Sequence, residues 1–249
     1  MTVHKSAILL LRCQDWSESS QIVWLLAREV GLVRGLAKGS RRGLNPFSGP
    51  LDRWVAGEAV FSVTNPERLA TLMELFETER FDGLRRCLPA FYGASYVTEM
   101  VLAIVPEHEV QPAVFDLVTE AVRQLSQAEA DACRAVTFAF AWRLLAILGY
   151  GADMARCVEC DTALEPGKPL DYSAGLGGPV CPACVPVDKG KIHHLTGKTA
   201  LAVTFLASAE WPEVRRVRLS EPTAAQMRAI LSARLRELTD KELSTARYV

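Results

Sequence analysis

Over the first 80 residues, apolar and polar positions alternate in short runs that glycine or proline separates. Ala7–Leu11 and Val55–Val63 have the apolar and β-branched content of strands. The apolar runs 21–29 and 32–37 flank a glycine and predict a hairpin. Residues 69–81 stay ambiguous, because they hold few β-branched residues although they follow a turn signal. Short strands without interleaved helices predict a small β-barrel or sandwich.

Beyond residue 84 the apolar positions recur every three or four residues, which is typical of amphipathic helices. Three such segments fill residues 84–150, and 199–209 and 223–238 show the same period after a cysteine-rich insert. The whole chain is therefore expected to be an α+β multidomain protein. No apolar stretch approaches the roughly 20 residues of a membrane span, and the N-terminus lacks the apolar core of a secretory signal. We therefore expect a cytoplasmic protein without membrane contact.

Charge is distributed unevenly along the chain, although its net value is only −1. Both ends carry an excess of basic residues and the middle is acidic, so a polyanion site must be local. The densest positive window is 34–43, which contains four cations and no acid. A solvated loop is the alternative explanation of such a run.

The cysteines give the sharpest chemical signal. Two CxxC units, Cys157/Cys160 and Cys181/Cys184, can close a tetrahedron of four thiolates, which suits a structural Zn²⁺ site. Such a site leaves no open coordination position for catalysis. Two disulfides or four free thiols are the alternatives, and the odd total of seven cysteines favours a reducing compartment.

The sequence lacks the usual catalytic motifs. Gly197-Lys198-Thr199 ends like a phosphate-binding loop, but Ile192 stands where that loop needs its first glycine. There is no HExxH zinc motif and no GxSxG elbow. These observations predict a binding protein rather than an enzyme.

Several segments together resemble one family, the bacterial recombination mediator RecO. They are Trp16–Val23, Ala27–Gly31, Ala37–Arg42 and the helix Phe138–Tyr150 that leads into Cys157. The resemblance implies an N-terminal OB-fold β-barrel over residues 1–80. It also implies an α-helical domain over 81–152 and 190–249, with a four-cysteine zinc module inserted at 153–189.

The resemblance further implies a role in recombinational DNA repair. RecO-like proteins bind single- and double-stranded DNA, anneal complementary strands, and work with RecR to load RecA onto DNA coated by single-stranded-DNA-binding protein. They contact the acidic C-terminal tail of that protein through the helical domain. This implies a location at the nucleoid. The competing hypothesis is a zinc-stabilised adaptor that binds only proteins.

Candidate site residues follow from combining this resemblance with the charge pattern. Phe47 and Trp54 are candidates for base stacking, with packing as the alternative. Arg134 and Arg143 on the third helix are candidates for the acidic tail, with internal ion pairing as the alternative. The candidate phosphate contacts are Arg34, Lys38, Arg41, Arg42 and Arg53.

Overall fold

The computed structural model describes residues 2–43, 46, 47, 49–65, 67–185 and 192–249. Its first five strands form a closed barrel with strand order β1-β2-β3-β5-β4. Strands β3 and β5 are parallel, the other neighbours are antiparallel, and β1 pairs with β4 to close the barrel. This is the five-stranded OB-fold barrel, so the predicted fold is confirmed. The strands are β1 Thr2–Asp15, β2 Gln21–Ala27, β3 Gly31–Ala37, β4 Val55–Val63 and β5 Ala70–Arg80.

Alternation along the strands sends apolar side chains into the barrel. Val23 and Leu25 on β2 are buried in the core, whereas Trp24 between them points outward and is half-buried. A bulge between Leu10 and Arg12 lets β1 bury two successive leucines and still return to the alternating register. The ambiguous segment 69–81 is strand β5, because its apolar positions alternate over a half-buried surface.

The chain divides into two compact units. The first contains Met1–Asp82 and Val105–Arg123, and the second contains Gly83–Ile104 and Gln124–Val249. Residues 105–123 therefore belong with the barrel, whereas the sequence-based division placed them in the helical domain. The predicted boundary between 189 and 190 lies outside the described residues.

The second unit is organised around a helix that is buried on nearly all sides. This helix, α4, is formed by Cys133–Ile147, and 11 of its 15 residues are buried, most of them apolar. Gly93 lets α2 approach it, because a Cβ atom there would lie 2.6 Å from Thr137 Oγ1. The helices of the chain are α1 Gly83–Arg86, α2 Leu88–Ile104, α3 Pro112–Gln127, α4, α5 Gly197–Ser208, α6 Trp211–Val214 and α7 Glu221–Thr239, followed by a 3-10 helix at Ala246–Tyr248.

The inserted module contains a three-stranded antiparallel sheet with strand order β7-β6-β8. Its strands are β6 Leu170–Ser173, β7 Gly178–Val180 and β8 Ile192–Leu195. The helical region with a cysteine-containing insert is as predicted. Among the residues that the structure describes, no helix has the length and apolar character needed to cross a membrane.

Candidate nucleic-acid interface and metal centre

Four cysteine side chains converge at one point of the inserted module. Cys157 and Cys160 lie in a turn before the sheet, and Cys181 and Cys184 lie in a second turn directly after β7. The four sulfur atoms all lie within 4.8 Å of one another, and the Cys160 and Cys181 sulfurs are 3.7 Å apart. Sulfurs around a tetrahedral ion with metal–sulfur bonds of about 2.3 Å are about 3.8 Å apart. The predicted ligands are thus arranged so that they can hold one metal ion.

Backbone N–H groups surround the sulfur of Cys157. The N–H of Cys181 donates to it at 3.3 Å. Burial raises the pKa of this thiol, whereas hydrogen bonds from the N–H groups of Cys160, Cys181 and Glu159 lower it, and the net result is a pKa of about 6. The thiolate is the form that binds metal. All seven cysteines are free thiols, so the arrangement favours metal binding over disulfides.

Two loops meet at one end of the barrel. The β1–β2 loop covers residues 16–20, and the segment after β3 covers residues 38–54. The Arg41 N–H donates to the Ser19 carbonyl at 3.2 Å, and the Gly39 N–H donates to Ser20 Oγ at 3.3 Å. These bonds bring the predicted basic window next to the first loop.

The first loop also carries an exposed aromatic side chain. Trp16 is 66% exposed, and Lys38 is exposed and forms no ion pair with any described residue. Trp16, Lys38, Arg41 and Arg42 are called the barrel-end cluster below. A flat indole next to cations is the combination that single-stranded nucleic acids require.

Gln21, at the start of β2, fastens the basic segment to the barrel. Its side chain is 5% exposed. Its Oε1 accepts from the Leu51 N–H at 2.9 Å and from Ser40 Oγ at 3.0 Å, and its Nε2 donates to the Leu51 carbonyl at 3.2 Å. Because these groups are buried, each needs its partner. Gln21 therefore fixes where the cations of the segment lie.

The predicted cations Arg34 and Arg41 have carboxylate partners within the first unit. Arg41 lies 3.1 Å from Asp15 and also donates to the Ser17 carbonyl, and Arg34 on β3 lies 2.8 Å from Glu107. All four charged side chains are partly exposed, and pairs of this kind contribute little free energy. They can therefore exchange with a phosphate at low cost.

The two candidates for base stacking are buried, so packing, the alternative explanation, is the correct one. Phe47 is 2% exposed and packs in the barrel core with Leu51, and Trp54 is 1% exposed. The guanidinium carbon of Arg53 lies 4.5 Å from the centre of the Trp54 ring. Both aromatics anchor the segment that carries the cations, because burying an apolar ring removes a large area from water.

Arg134 lies at the edge of a groove in the second unit. The groove has a volume of about 380 Å³ and is lined by apolar and aromatic side chains of α2, α4 and the last residues, among them Leu88, Tyr92 and Tyr248. Tyr92 and Tyr248 stack with their ring centres 4.4 Å apart. Arg134 pairs with Glu221 at 2.7 Å while lining the groove.

Arg143, the other predicted partner residue, is used inside the second unit. Its Nε donates to the Leu206 carbonyl at 3.1 Å and its Nη2 donates to the Ala209 carbonyl. Its guanidinium carbon lies 4.1 Å from the centre of the Trp211 ring. Burial lowers the pKa of Arg143. The side chain therefore satisfies carbonyls at the end of α5 that would otherwise lack partners.

Comparison with known proteins decides the family. The model of the Recombination protein O N terminal region matches residues 1–77, and that of the Recombination protein O C terminal region matches residues 85–246. The chain belongs to the RecO family.

Several RecO proteins are similar over most of their length, and each is named a DNA repair protein. The protein of Pelotomaculum thermopropionicum is 29% identical over 215 residues, covering 86% of this chain and 80% of the relative. That of Symbiobacterium thermophilum is 28% identical over 247 residues, covering 97% and 94%. That of Rhodopirellula baltica is 31% identical over 180 residues, covering 72% and 66%.

The sequence reasoning missed three outward-facing residues of this RecO-family barrel. Trp16 is one, and Arg12 and Trp24 on the outer face of β1 and β2 are the others. The guanidinium carbon of Arg12 lies 4.8 Å from the centre of the Trp24 ring, and Trp24 pairs in register with Arg34. The structure turns Trp24 outward, but β2 is apolar from Ile22 to Ala27, so no alternation of polar and apolar residues singles it out in the sequence.

Proposed function

We propose that this protein is a DNA-binding recombination mediator, which binds single-stranded DNA at the barrel-end cluster and anneals complementary strands. The observation that carries the proposal is that the loop with the exposed indole of Trp16 contacts the basic segment, where the Arg41 N–H donates to the Ser19 carbonyl at 3.2 Å. Membership of the RecO family supports it. The adaptor that binds only proteins is the competing hypothesis, and it requires no such cluster.

The chemistry of the cluster fits a single strand. Base stacking on an aromatic side chain contributes about 1–3 kcal/mol per base and does not depend on base identity. Each phosphate contact on a single strand adds about −0.7 to the logarithmic salt slope of the binding constant. Cations that hold two strands close together lower their mutual repulsion, so base pairing can proceed without covalent chemistry by the protein.

The test is a double charge reversal, Lys38→Glu with Arg41→Glu, measured with a fluorescent oligonucleotide across a salt series. We expect affinity to fall about tenfold or more and the salt slope to become shallower by about 1.4. Strand annealing should slow in parallel. The matched control is Lys168→Glu with Lys198→Glu, two exposed lysines of the second unit. Equal behaviour of the two double variants would refute the proposal and favour the adaptor.

Trp16→Ala separates stacking from charge. It should weaken binding to oligo(dT) by about 1–3 kcal/mol and leave the salt slope unchanged. An abasic deoxyribose-phosphate strand should bind the variant and the wild type equally. A salt slope that changes with Trp16→Ala would mean that the indole only positions the neighbouring cations.

The mediator activity extends beyond DNA binding. The family resemblance supports joint action with RecR to load RecA onto DNA coated by single-stranded-DNA-binding protein, in the cytoplasm at the nucleoid. Annealing of coated strands, with and without the acidic tail of that coating protein, tests this step. Loss of annealing on tailless complexes alone is the expected result.

The groove beside Arg134 is our candidate for binding that tail. Apolar side chains of a peptide fit among Leu88, Tyr92 and Tyr248, and a carboxylate fits Arg134 once Glu221 is displaced. Arg134→Ala should lower the affinity of a labelled tail peptide about tenfold. Arg156→Ala removes a comparable exposed ion pair with Asp161 and serves as the control. Arg143 has a structural role in this proposal.

The ion that fits the four cysteines best is Zn²⁺ in a structural role. A set of four thiolates at tetrahedral spacing is the donor set that zinc prefers, and it leaves no position for water. Mass spectrometry of the native protein should find one zinc ion per chain. A native protein without bound metal would contradict this assignment.

A further inference from the structure

The outer face of the barrel carries a row of three residues on neighbouring strands. Arg12 on β1 is in register with Trp24 on β2, which is in register with Arg34 on β3. This Arg12–Trp24–Arg34 row presents one indole between two cations. The Arg12 guanidinium carbon lies 4.8 Å from the centre of the half-buried Trp24 ring, so a base that stacks on this indole replaces Arg12 there while its phosphate meets a guanidinium.

One cation of the row is held by the protein's own carboxylate. The Nε atom of Arg34 lies 2.8 Å from one carboxylate oxygen of Glu107 and 3.0 Å from the other. The Arg34 side chain is 46% exposed and that of Glu107 is 33% exposed. A carboxylate at this distance occupies the place that a strand phosphate would take.

Backbone contacts fix Glu107 at this position. Glu107 forms a parallel bridge with Leu32 of β3, and the His108 N–H donates to the Leu32 carbonyl at 2.9 Å. Gly31 has a φ of +86°, and a Cβ atom there would lie 2.1 Å from the Glu109 carbonyl oxygen. Only glycine permits this close approach. The backbone of Glu107 is therefore held beside β3, within side-chain reach of Arg34.

The same segment neutralises a second cation. Asp116 accepts from Arg28 Nε at 3.1 Å and from Arg28 Nη2 at 3.0 Å, which is a bidentate pair. Both pairs lie within the first unit, where the acidic part of residues 105–123 meets basic residues of the barrel. Carboxylates of the protein itself thus neutralise cations of the barrel that could otherwise bind phosphate.

We infer that Glu107 is an internal competitor for phosphate at the Arg12–Trp24–Arg34 row. The row takes one nucleotide of a single strand, with the base on Trp24 and the phosphate on Arg34, when Arg34 leaves Glu107. Exposed ion pairs shift an equilibrium by about fivefold or less, so the exchange is easy and the row adds to binding at low salt. This inference rests on the proposed function and adds a regulated subsite to it.

The test is Glu107→Gln, which removes the charge and keeps the backbone bridge. We expect the Kd for oligo(dT) at low salt to fall about fivefold and the salt slope to become steeper by about 0.7. The matched control is Glu58→Gln, which frees Lys5 from a 3.0 Å pair between β4 and β1. It makes the same change in net charge away from the row, and it should leave both quantities near the wild-type values.

Three further substitutions locate the effect. Arg34→Gln should have little effect alone and should abolish the gain when combined with Glu107→Gln. Trp24→Ala should lower the affinity for oligo(dT) but not for an abasic strand. Glu107→Ala should reproduce the gain of Glu107→Gln, because the competing group is the carboxylate. Melting temperatures confirm that each variant folds.

The outcomes separate this inference from the proposed function. Weaker binding by Glu107→Gln would make Glu107 a positioning residue and overturn the inference. A gain equal to that of Glu58→Gln, or one that survives Arg34→Gln, would also overturn it while DNA binding itself stands. A wild-type protein that shows no salt-dependent binding would refute the proposed function as well.

Discussion

The segment that follows β3 and the cysteine module are both rich in glycine and proline, and both hold candidate functional residues, yet different interactions fix them. Described residues of the β3 segment, which spans residues 38–54, lie against the barrel core. Phe47 and Leu51 insert into that core, and Gln21 satisfies the backbone N–H and carbonyl of Leu51. Apolar side chains and one amide are therefore enough to fix the β3 segment, because a large core is already present.

The cysteine module has little core of its own. The cluster of buried residues around the cysteines contains Cys157, Val180 and Cys181, with a few half-buried neighbours, whereas Tyr172 on β6 packs against Trp142 of α4. So small an apolar cluster cannot offset the entropy of ordering such a segment. In the proposed zinc site, four converging thiolates supply what the core lacks, because metal binding contributes directly to folding. We therefore expect loss of the metal to unfold the cysteine module, and loss of an apolar side chain to destabilise the barrel with its β3 segment.

The largest effect is expected from removing one thiolate. Cys181→Ser takes away a buried ligand whose N–H also bonds Cys157 Sγ. Structural zinc contributes on the order of 10 kcal/mol in small modules, so the module should unfold locally while the barrel stays folded. Metal analysis should show loss of the ion, and hydrogen exchange should show lost protection in residues 155–185 only.

Cys13→Ser is the matched control, because it replaces a half-buried free thiol of the barrel. It should keep the metal and the exchange protection of the module. Normal protection of residues 155–185 in Cys181→Ser would show that the module folds without its ion, and the contrast between the two segments would disappear.

The next effect comes from an apolar anchor of the β3 segment. Phe47→Ala should lower the free energy of unfolding by about 3–5 kcal/mol, because it leaves a cavity in the barrel core. Chelation should not change this loss. Denaturant unfolding measures it, and Phe76→Ala, at a side chain that is 72% exposed, should cost less than about 0.5 kcal/mol. A Phe47→Ala variant that keeps wild-type stability but binds oligo(dT) poorly would contradict this packing role and favour base stacking by Phe47.

A smaller effect is expected at the amide that links segment and barrel. Gln21→Ala leaves the Leu51 N–H and carbonyl without partners, so the free energy of unfolding should fall by about 1–3 kcal/mol. DNA affinity should fall too, because the cations lose their fixed positions. Gln14→Ala, on an exposed side chain of β1, is the control. If Gln21→Ala lowers stability but leaves DNA affinity unchanged, then DNA binding does not depend on the fixed position of the β3 segment.

The local chemistry could be predicted from the sequence, but the partners of individual side chains could not. Two CxxC units reveal a four-thiolate site because the ligands are close in sequence. Alternation reveals a barrel because one face of each strand is buried. Phe47 and Trp16 both lie in irregular segments between strands, yet one is buried and the other exposed, since loop folding decides which aromatic reaches the core.

The position of residues 105–123 shows the same limit. Helical periodicity predicts α3 but not the unit to which it belongs. The signal that ties it to the barrel is the positive φ of Gly31 and its close approach to Glu109, which no local pattern reveals. Arg143 is similar, because its partners are carbonyls some 60 residues away, at Leu206 and Ala209.

A third irregular segment, at Ser244 and Thr245, is held by an ionisable side chain. Glu99 on α2 accepts from the N–H and hydroxyl groups of both Ser244 and Thr245. Burial raises the pKa of Glu99, but these hydrogen bonds outweigh it and hold the pKa below its usual value of 4.5. The stabilisation is therefore present above about pH 4.5 and is lost as the pH falls through the lower, folded-state pKa.

Glu99→Gln should therefore have the smallest effect, and its size should depend on pH. At pH 7 we expect a loss of about 1 kcal/mol in the free energy of unfolding, because the neutral amide accepts weaker hydrogen bonds. The difference from the wild type should shrink as the pH falls below about 4.5, since protonation removes the same charge from Glu99. Glu67→Gln, at an exposed position, should show no such trend. A difference that stays constant with pH would mean that shape and not charge holds this segment, as the uncharged Gln21 holds the segment after β3.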